Sequence, residues 1–225
     1  MEHAELTLRR QLIDTCGAFG PSGLSQGTSG NASARWQNGM LITPSAMDYA
    51  RIRPSDIVWM GPDGSRTGHR APSSEWRFHQ RILAERPDAG AIVHVHSPAA
   101  TALACLRLPI PAFHYLVAVA GGDNIRCAPY FLFGSDQLAD AVIEALHGRS
   151  AALLANHGQV TVGASLDAAL RLALDVESLA DQYLRARTVG EPRRLTARQM
   201  REVLDRFDRY RNGTLDRVED GPTPR

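Results

Sequence analysis

Short apolar runs of the kind found in β-strands alternate with amphipathic helical segments along this chain, and that alternation is typical of an α/β fold. The dipeptide Asn38-Gly39 lies between two β-rich runs and predicts a hairpin. The other predicted strands are 57–60, 91–96, 151–155 and 159–162. The predicted helices are 4–19, 75–86, 98–106, 136–146, 166–189 and 197–210, with Ser73, Ser165 and Thr196 as N-terminal caps of three of them.

The length of the chain favours one domain. Its 225 residues are enough for a single sizeable core, and they contain no internal repeat. We place this domain at residues 1–211. The remaining segment, 212–225, combines turn-forming and charged residues, and we predict that it is a flexible tail.

The composition argues against two classes of partner. The 25 basic and 24 acidic residues leave a net charge of +1, which is too weak to gather nucleic acid or an anionic membrane. No window approaches 18 uncharged apolar residues, and the N-terminus lacks the apolar core of a signal peptide. The three cysteines are far apart and suggest no disulfide framework. We therefore expect a cytoplasmic protein that binds neither nucleic acid nor membrane.

The basic residues also restrict the chemistry. All 25 are Arg and none is Lys, which excludes every mechanism that uses a lysine amine as the nucleophile. Schiff-base chemistry with a lysine is therefore excluded.

Three histidines lie at the predicted ends of strands. His94 and His96 are two residues apart in an apolar run, so the strand period places both imidazoles on one face with their Cα atoms about 7 Å apart. His157 directly follows the predicted strand 151–155. Three imidazoles and an open fourth position are typical of catalytic rather than structural zinc sites. Histidines that hydrogen-bond one another without a metal are the alternative that this spacing leaves open.

Three segments rich in small polar residues precede these histidines. Their backbone amides, hydroxyl groups and a helix N-terminus are neutral groups from which a phosphate site can be built. Each candidate also has a structural alternative. Ser73 could simply cap a helix, and Gly30 could simply be a turn glycine. Glu75 could be a first-turn carboxylate that the helix dipole favours. The segments are Gly30-Asn31-Ala32-Ser33, Thr43-Pro44-Ser45-Ala46 and Pro72-Ser73-Ser74-Glu75. Solvated or structural roles are predicted for His69, His79, His114 and His147.

Taken together, the motifs resemble the class II aldolase/adducin family between Arg10 and about Tyr210. The motifs that carry the resemblance are Gly30-Asn31-x-Ser33, Thr43-Pro44-Ser45, Pro72-Ser73-Ser74-Glu75, His94-x-His96, Gly121-Gly122, Ala128-Pro129-Tyr130 and Asn156-His157-Gly158. Two positions depart from the family pattern. Ser45-Ala46 replaces the usual Thr-Gly of a phosphate loop, and Asn156 stands where an aldolase of the family has another histidine.

The resemblance implies a fold and a set of site residues. The fold is a single α/β domain with a central, mainly antiparallel sheet flanked by helices. The metal is Zn²⁺, with Mn²⁺ or Co²⁺ as alternatives, and its implied ligands are His94, His96, His157 and Glu75. The residues implied to hold the substrate phosphate are Gly30, Asn31, Ser45, Ala46, Ser73 and Ser74. The family also implies a homotetramer with active sites at subunit interfaces, in which the aldehyde end is closed by Phe133 and by a neighbour's Tyr115, Phe207 and Tyr210.

The implied activity is the reversible cleavage of a (deoxy)ketose 1-phosphate into dihydroxyacetone phosphate and an aldehyde. The substrates implied are L-fuculose 1-phosphate and the 1-phosphates of 5-deoxyribulose and 5-methylthioribulose. In this scheme Glu75 leaves the metal and becomes the acid/base that protonates carbon 3, while Tyr115 takes the proton of the carbon 4 hydroxyl group.

Other activities occur on the same scaffold. Pentulose-5-phosphate 4-epimerases of the family carry Asp after the paired serines, so Glu75 favours an aldolase. A sugar-acid phosphate decarboxylase and a methylthioribulose-1-phosphate dehydratase stay open as alternatives. An adducin-like interaction module is disfavoured, because it has no need of three histidines together with Glu75 and Tyr115.

Overall fold

Eight strands form one sheet in the computed structural model, which describes residues 2–211. The strands are β1 (Asn31–Trp36), β2 (Gly39–Ile42), β3 (Val58–Met60), β4 (Arg66–Thr67), β5 (Ala91–Val95), β6 (Arg126–Ala128), β7 (Ala151–Leu154) and β8 (Gly158–Gly163). The helices are α1 (His3–Gly17), α2 (Trp76–Glu85), α3 (Pro98–Cys105), α4 (Asp136–Leu146), α5 (Leu166–Val189) and α6 (Ala197–Arg211). The predicted tail, 212–225, lies outside the described residues.

The strand order across the sheet is β4-β3-β2-β1-β5-β8-β7-β6. Neighbouring strands are antiparallel except for β6 and β7, which are parallel and are joined through α4. Strand β5 lies near the middle and pairs with β1 on one side and β8 on the other. The predicted α/β domain with a mainly antiparallel sheet is therefore confirmed.

Helices cover both faces of the sheet, and the alternation of β5 decides which face receives the histidines. Ile92 packs in a core beneath α2 and α4, whereas its neighbours Ala91 and Val93 pack in a core with α1 and α5. His94 has the same parity as Ile92, and its ring contacts Phe78 of α2 with 5.5 Å between ring centroids. The histidine side of β5 is therefore the α2 side. A further core joins α3, α5 and α6 to the 3₁₀ segment Tyr115–Ala120.

The predicted helices and the hairpin are confirmed to within about two residues at their ends. The cap predictions hold for Ser165 and Thr196, whose hydroxyl groups accept hydrogen bonds from Ala168 N and Gln199 N at 3.2 Å. The prediction that Ser73 caps α2 is wrong, because α2 begins at Trp76 with Glu75 as its N-cap residue.

The reason for this difference lies in the chain just before α2. Ser73 N donates to Thr43 O at 2.9 Å, and Pro72 forms a bridge with Pro44, so this segment stays extended beside the end of β2. The short strands β4 and β6 were not predicted, because neither shows an alternating apolar pattern. Among the described residues, no helix combines the length and apolar character needed to cross a membrane.

Candidate metal centre and ligand cleft

Three imidazoles and one carboxylate meet where β5 ends. His94 and His96 come from that end, His157 from the turn between β7 and β8, and Glu75 from the start of α2. One ligand atom of each lies within 4.8 Å of all the others. His94 Nε2 is 3.0 Å from both His96 Nε2 and a Glu75 carboxylate oxygen, and the second Glu75 oxygen is 3.2 Å from His157 Nε2.

Local backbone interactions orient these side chains. His94 Nδ1 donates to the Gln159 carbonyl at 2.8 Å, which directs its Nε2 toward the centre. Gly158 lies against the end of β5, and a Cβ there would be 2.4 Å from the Val95 carbonyl oxygen. Only glycine permits that approach, which keeps His157 beside His96. The preceding residue, Asn156, has a φ of +55°, a conformation that asparagine tolerates better than most residues.

The donor set fits a divalent metal. Glu75 Oε1 is buried and makes no hydrogen bond, although it lies within 3.2 Å of His157 Nε2. A buried carboxylate oxygen without a partner is costly unless a cation completes its surroundings. Three imidazole nitrogens and one carboxylate oxygen suit Zn²⁺ and also other first-row divalent ions.

The protonation states support the same interpretation. Burial, and then the neighbouring His94, lower the pKa of His96 to about 4 and that of His157 to about 3, so both imidazoles are neutral at pH 7. Burial alone would raise the pKa of Glu75, but the charge and hydrogen bond of His94 hold it well below its usual value. Burial alone would lower the pKa of His94, but the charge and hydrogen bond of Glu75 raise it. His96, His157 and Glu75 thus have the forms that bind metals, whereas a bound metal displaces the proton from His94 Nε2.

A cleft of about 330 Å³ opens beside this centre. Its lining includes all six predicted phosphate-site residues, Phe133 and three of the four predicted metal ligands, Glu75, His96 and His157. Two of its walls are joined by backbone hydrogen bonds from Ser45 N to Ala71 O and from Ser73 N to Thr43 O, at 3.0 and 2.9 Å. The six residues are Gly30, Asn31, Ser45, Ala46, Ser73 and Ser74.

Two backbone positions in the cleft carry unusual conformations. Gly30 has a φ of +90°, and a Cβ there would be 2.7 Å from the His94 carbonyl oxygen, so a larger residue would displace the strand that carries the ligand. Tyr49 holds this loop by donating its hydroxyl hydrogen to the Gly30 carbonyl at 2.6 Å. Ala46 has a φ of +52°, which is unfavourable for alanine. This is the position where the family pattern has glycine.

The predicted aromatic residues of the aldehyde end divide into two groups. Phe133 lies at the rim of the cleft, whereas the described lining of the cleft does not include Tyr115, Phe207 or Tyr210. Tyr115 is 51% exposed and stacks against Phe207 with 6.4 Å between ring centroids, and Tyr210 is 70% exposed. Their participation in the site stays a prediction.

His79 is the polar residue near the site whose importance the sequence analysis missed. It is completely buried, so the solvated role considered for it is wrong, and it hydrogen-bonds Asn31 and Ser33. The available signal was its spacing of four residues from Glu75, which is one helical turn when α2 begins there.

The fold and this centre define a class II aldolase/adducin domain, and the chain belongs to that family. The family model described as "Class II Aldolase and Adducin N-terminal domain" matches residues 10–184. The resemblance inferred from the motifs is thereby confirmed.

The chain is similar to named aldolases, which are carbon–carbon lyases. The chain is 50% identical over 210 residues to a 5-methylthioribulose-1-phosphate/5-deoxyribulose-1-phosphate aldolase of Rhodospirillum rubrum, covering 93% of this chain and 95% of that protein. It is 45% identical over 204 residues to an L-fuculose phosphate aldolase of Escherichia coli, covering 90% and 95%. Among solved structures, an L-fuculose 1-phosphate aldolase superposes with a TM-score of 0.87 at 39% identity, covering 90% of this chain and 96% of that one.

Proposed function

We propose that this protein is a zinc-dependent aldolase that reversibly cleaves a ketose 1-phosphate into dihydroxyacetone phosphate and an aldehyde. One observation carries the proposal. The cluster of three histidines and Glu75 borders the same cleft as the loops rich in glycine and serine. A substrate whose phosphate lies in those loops therefore has its sugar carbons beside the metal ligands. A bound divalent cation supplies Lewis-acid stabilisation of the negative charge that develops on the substrate oxygens.

The phosphate site is built from neutral groups. Ser45, Ser73 and Ser74 offer hydroxyl groups, and the Gly30 loop offers backbone amides, while the described lining contains no Arg. Hydrogen bonds from such groups hold a phosphate without a side-chain cation. They also position the sugar carbons for the proton transfers.

Glu75 is the group that moves a proton at carbon 3. Its carboxylate is buried and ionised, so in the condensation direction it takes a proton from carbon 3 of dihydroxyacetone phosphate, and in the cleavage direction it returns that proton. Tyr115 takes the proton of the carbon 4 hydroxyl group as the aldehyde leaves. Because the chain contains no Lys, a Schiff base with a lysine plays no part.

The rim of the cleft favours an aldehyde with an apolar end. Tyr130, Phe131 and Phe133 line it, and all three are exposed to solvent. An apolar substituent on carbon 5 of the substrate covers these aromatic rings and removes their surface from water, whereas an additional hydroxyl group on the substrate does not. We therefore propose 5-methylthioribulose 1-phosphate and 5-deoxyribulose 1-phosphate as the substrates, in preference to L-fuculose 1-phosphate.

The substrate proposal is tested by measuring kcat/KM for these three ketose phosphates. We expect kcat/KM for 5-methylthioribulose 1-phosphate to be about 10-fold or more higher than kcat/KM for L-fuculose 1-phosphate, since one or two apolar groups in a pocket contribute that much discrimination. Phe131→Ser is expected to reduce this ratio. Leu132→Ser is the matched control, because Leu132 is exposed on the same loop but is not among the described lining residues. A wild-type preference for L-fuculose 1-phosphate would contradict the substrate proposal.

We further propose that the protein is a homotetramer whose active sites are shared between subunits. The exposure of Tyr115 and Tyr210, and their position outside the described lining of their own cleft, support this arrangement. In it, one subunit supplies the metal ligands and the phosphate site. The next subunit closes the aldehyde end with Tyr115, Phe207 and Tyr210.

The shared site predicts that two inactive variants restore each other. His94→Ala and Tyr115→Phe are each expected to be inactive alone. After the subunits are mixed and reassembled, about a quarter of the sites should combine an intact metal centre with an intact tyrosine. Activity should reappear in step with subunit exchange, measured by native mass spectrometry. Continued inactivity after complete exchange, or an active monomer, would contradict the shared site.

The cytoplasm is the location that we propose. All three cysteines are free thiols, and Cys105 is exposed, which suits a reducing compartment.

A further inference from the structure

A chain of three hydrogen bonds leads from the interior of the sheet to the Glu75 carboxylate. Ser33 Oγ is 2.7 Å from His79 Nδ1, and His79 Nε2 is 2.5 Å from Asn31 Oδ1. Asn31 Nδ2 donates to Glu75 Oε2 at 3.0 Å. All four residues are buried. The chain thus connects β1, which carries Ser33 and Asn31, with α2 and its N-cap.

Chemistry gives each of these hydrogen bonds a direction. Because the Asn31 NH₂ group faces the carboxylate, its amide oxygen faces His79, and an amide oxygen only accepts. His79 Nε2 therefore carries a hydrogen, and its Nδ1 accepts from the Ser33 hydroxyl group. Burial lowers the pKa of His79 to about 3, which agrees with a neutral ring. Every donor in the chain thus points toward Glu75.

The Asn31 amide has two ends of nearly equal size, so packing alone does not distinguish its two orientations. A flipped amide would bring its oxygen against the Glu75 carboxylate and remove the hydrogen bond that Asn31 donates to Glu75 Oε2. The hydrogen on His79 Nε2 distinguishes the two orientations, because it can be donated to the amide oxygen but not to the NH₂ group. His79 also stacks on Phe78 with 4.6 Å between ring centroids, which fixes the plane of its ring.

We propose that His79 is a positioning residue that acts on Glu75 through Asn31. Its Nε2 hydrogen fixes the Asn31 amide in the orientation that donates to Glu75 Oε2, and this donation holds the carboxylate in the geometry for proton transfer. This inference rests on the proposed role of Glu75 as the acid/base. His79 is not one of the predicted metal ligands. In this proposal it affects the reaction without contacting the metal or the substrate.

Two amide substitutions at His79 separate this role from simple filling of the core. In His79→Gln the side-chain amide nitrogen occupies the place of Nε2 and keeps a donor toward Asn31. In His79→Asn the shorter side chain keeps a partner for Ser33 but does not reach Asn31. Both introduce a neutral amide into the same buried position. Ser33→Ala is the control, because it removes the far hydrogen bond of the chain and leaves the one between His79 and Asn31.

The first measurement is the exchange of the carbon 3 proton of dihydroxyacetone phosphate with solvent deuterium, followed by NMR without any aldehyde. We expect His79→Asn to lose about 10- to 100-fold in the exchange rate at saturating ligand, as for other residues that orient metal-site groups. His79→Gln and Ser33→Ala should stay within about 3-fold of wild type, and the metal content of all variants should be unchanged. Folded His79→Asn and His79→Gln proteins with equal exchange rates would overturn the proposal.

The second measurement does not depend on activity. Visible absorption of the Co²⁺-loaded proteins reports how the carboxylate meets the metal, and we expect wild type and His79→Gln to share a spectrum from which His79→Asn differs. If wild type itself fails to exchange the carbon 3 proton, the proposed function of Glu75 fails. The spectra then still decide whether His79 positions that carboxylate, because identical spectra for all three proteins would overturn the inference.

Discussion

His94→Ala is expected to lose its bound divalent metal and all measurable aldol cleavage while it keeps its fold. His94 is the central ligand, since its Nε2 lies 3.0 Å from both His96 Nε2 and the Glu75 carboxylate. Without it the centre loses one of its three imidazoles, and the Glu75 carboxylate loses the ring that lies 3.0 Å from its oxygen, so the affinity for the metal should fall sharply. Such sites tune chemistry more than folding, so the circular dichroism spectrum should change little.

The measurements for this variant are metal content by mass spectrometry and the release of dihydroxyacetone phosphate in a coupled assay. His147→Ala is the matched control, because His147 is exposed at the end of α4 and lies outside the ligand cluster. The control should keep one metal ion per chain and full activity. A metal-free His94→Ala protein with wild-type turnover would show that the cluster is not the catalytic centre.

Glu75→Gln is expected to lower kcat by about 10²- to 10⁴-fold, the usual contribution of a positioned acid/base. Glutamine has nearly the same shape and can accept the hydrogen bond from Asn31, but it cannot take a proton from carbon 3. The phosphate loops are untouched, so KM should change much less than kcat. Metal content should be retained, since the three imidazoles stay in place.

Glu85→Gln provides the control for Glu75→Gln. It is the same substitution at the other end of α2, on a side chain that is nearly half exposed and pairs weakly with Arg81 at 4.0 Å. Its kcat should equal that of wild type. If Glu75→Gln retains full turnover, Glu75 is a metal ligand only, and the proton at carbon 3 is moved by another group.

Much of the metal centre was predictable from sequence because its signals are local. The two-residue period of an apolar run placed His94 and His96 on one face, and the end of the run 151–155 placed His157 at another strand end. The structure shows all three together because β5 and β8 are neighbours in the sheet.

The contribution of α2 could not be derived from spacing. Glu75 reaches the histidines because α2 packs on the face of β5 that carries His94. His79 meets Asn31 because β1, which carries Asn31, pairs with β5 under the same helix. Glu75 and His94 are 19 positions apart, and His79 and Asn31 are 48 apart, so no local pattern encodes either contact. For Glu75 the family resemblance supplied the missing information. For His79 the spacing of one helical turn from Glu75 was available, but it does not reveal the contact with Asn31.

The most direct test of the proposed function is the release of dihydroxyacetone phosphate from 5-methylthioribulose 1-phosphate, before and after the metal is removed with a chelator and restored with Zn²⁺. We predict one dihydroxyacetone phosphate per substrate cleaved, loss of that activity in the metal-free protein, and its recovery at one Zn²⁺ per chain. Full activity in protein verified to be free of metal, or no dihydroxyacetone phosphate from any ketose 1-phosphate tested with Zn²⁺ bound, would contradict a zinc-dependent aldolase.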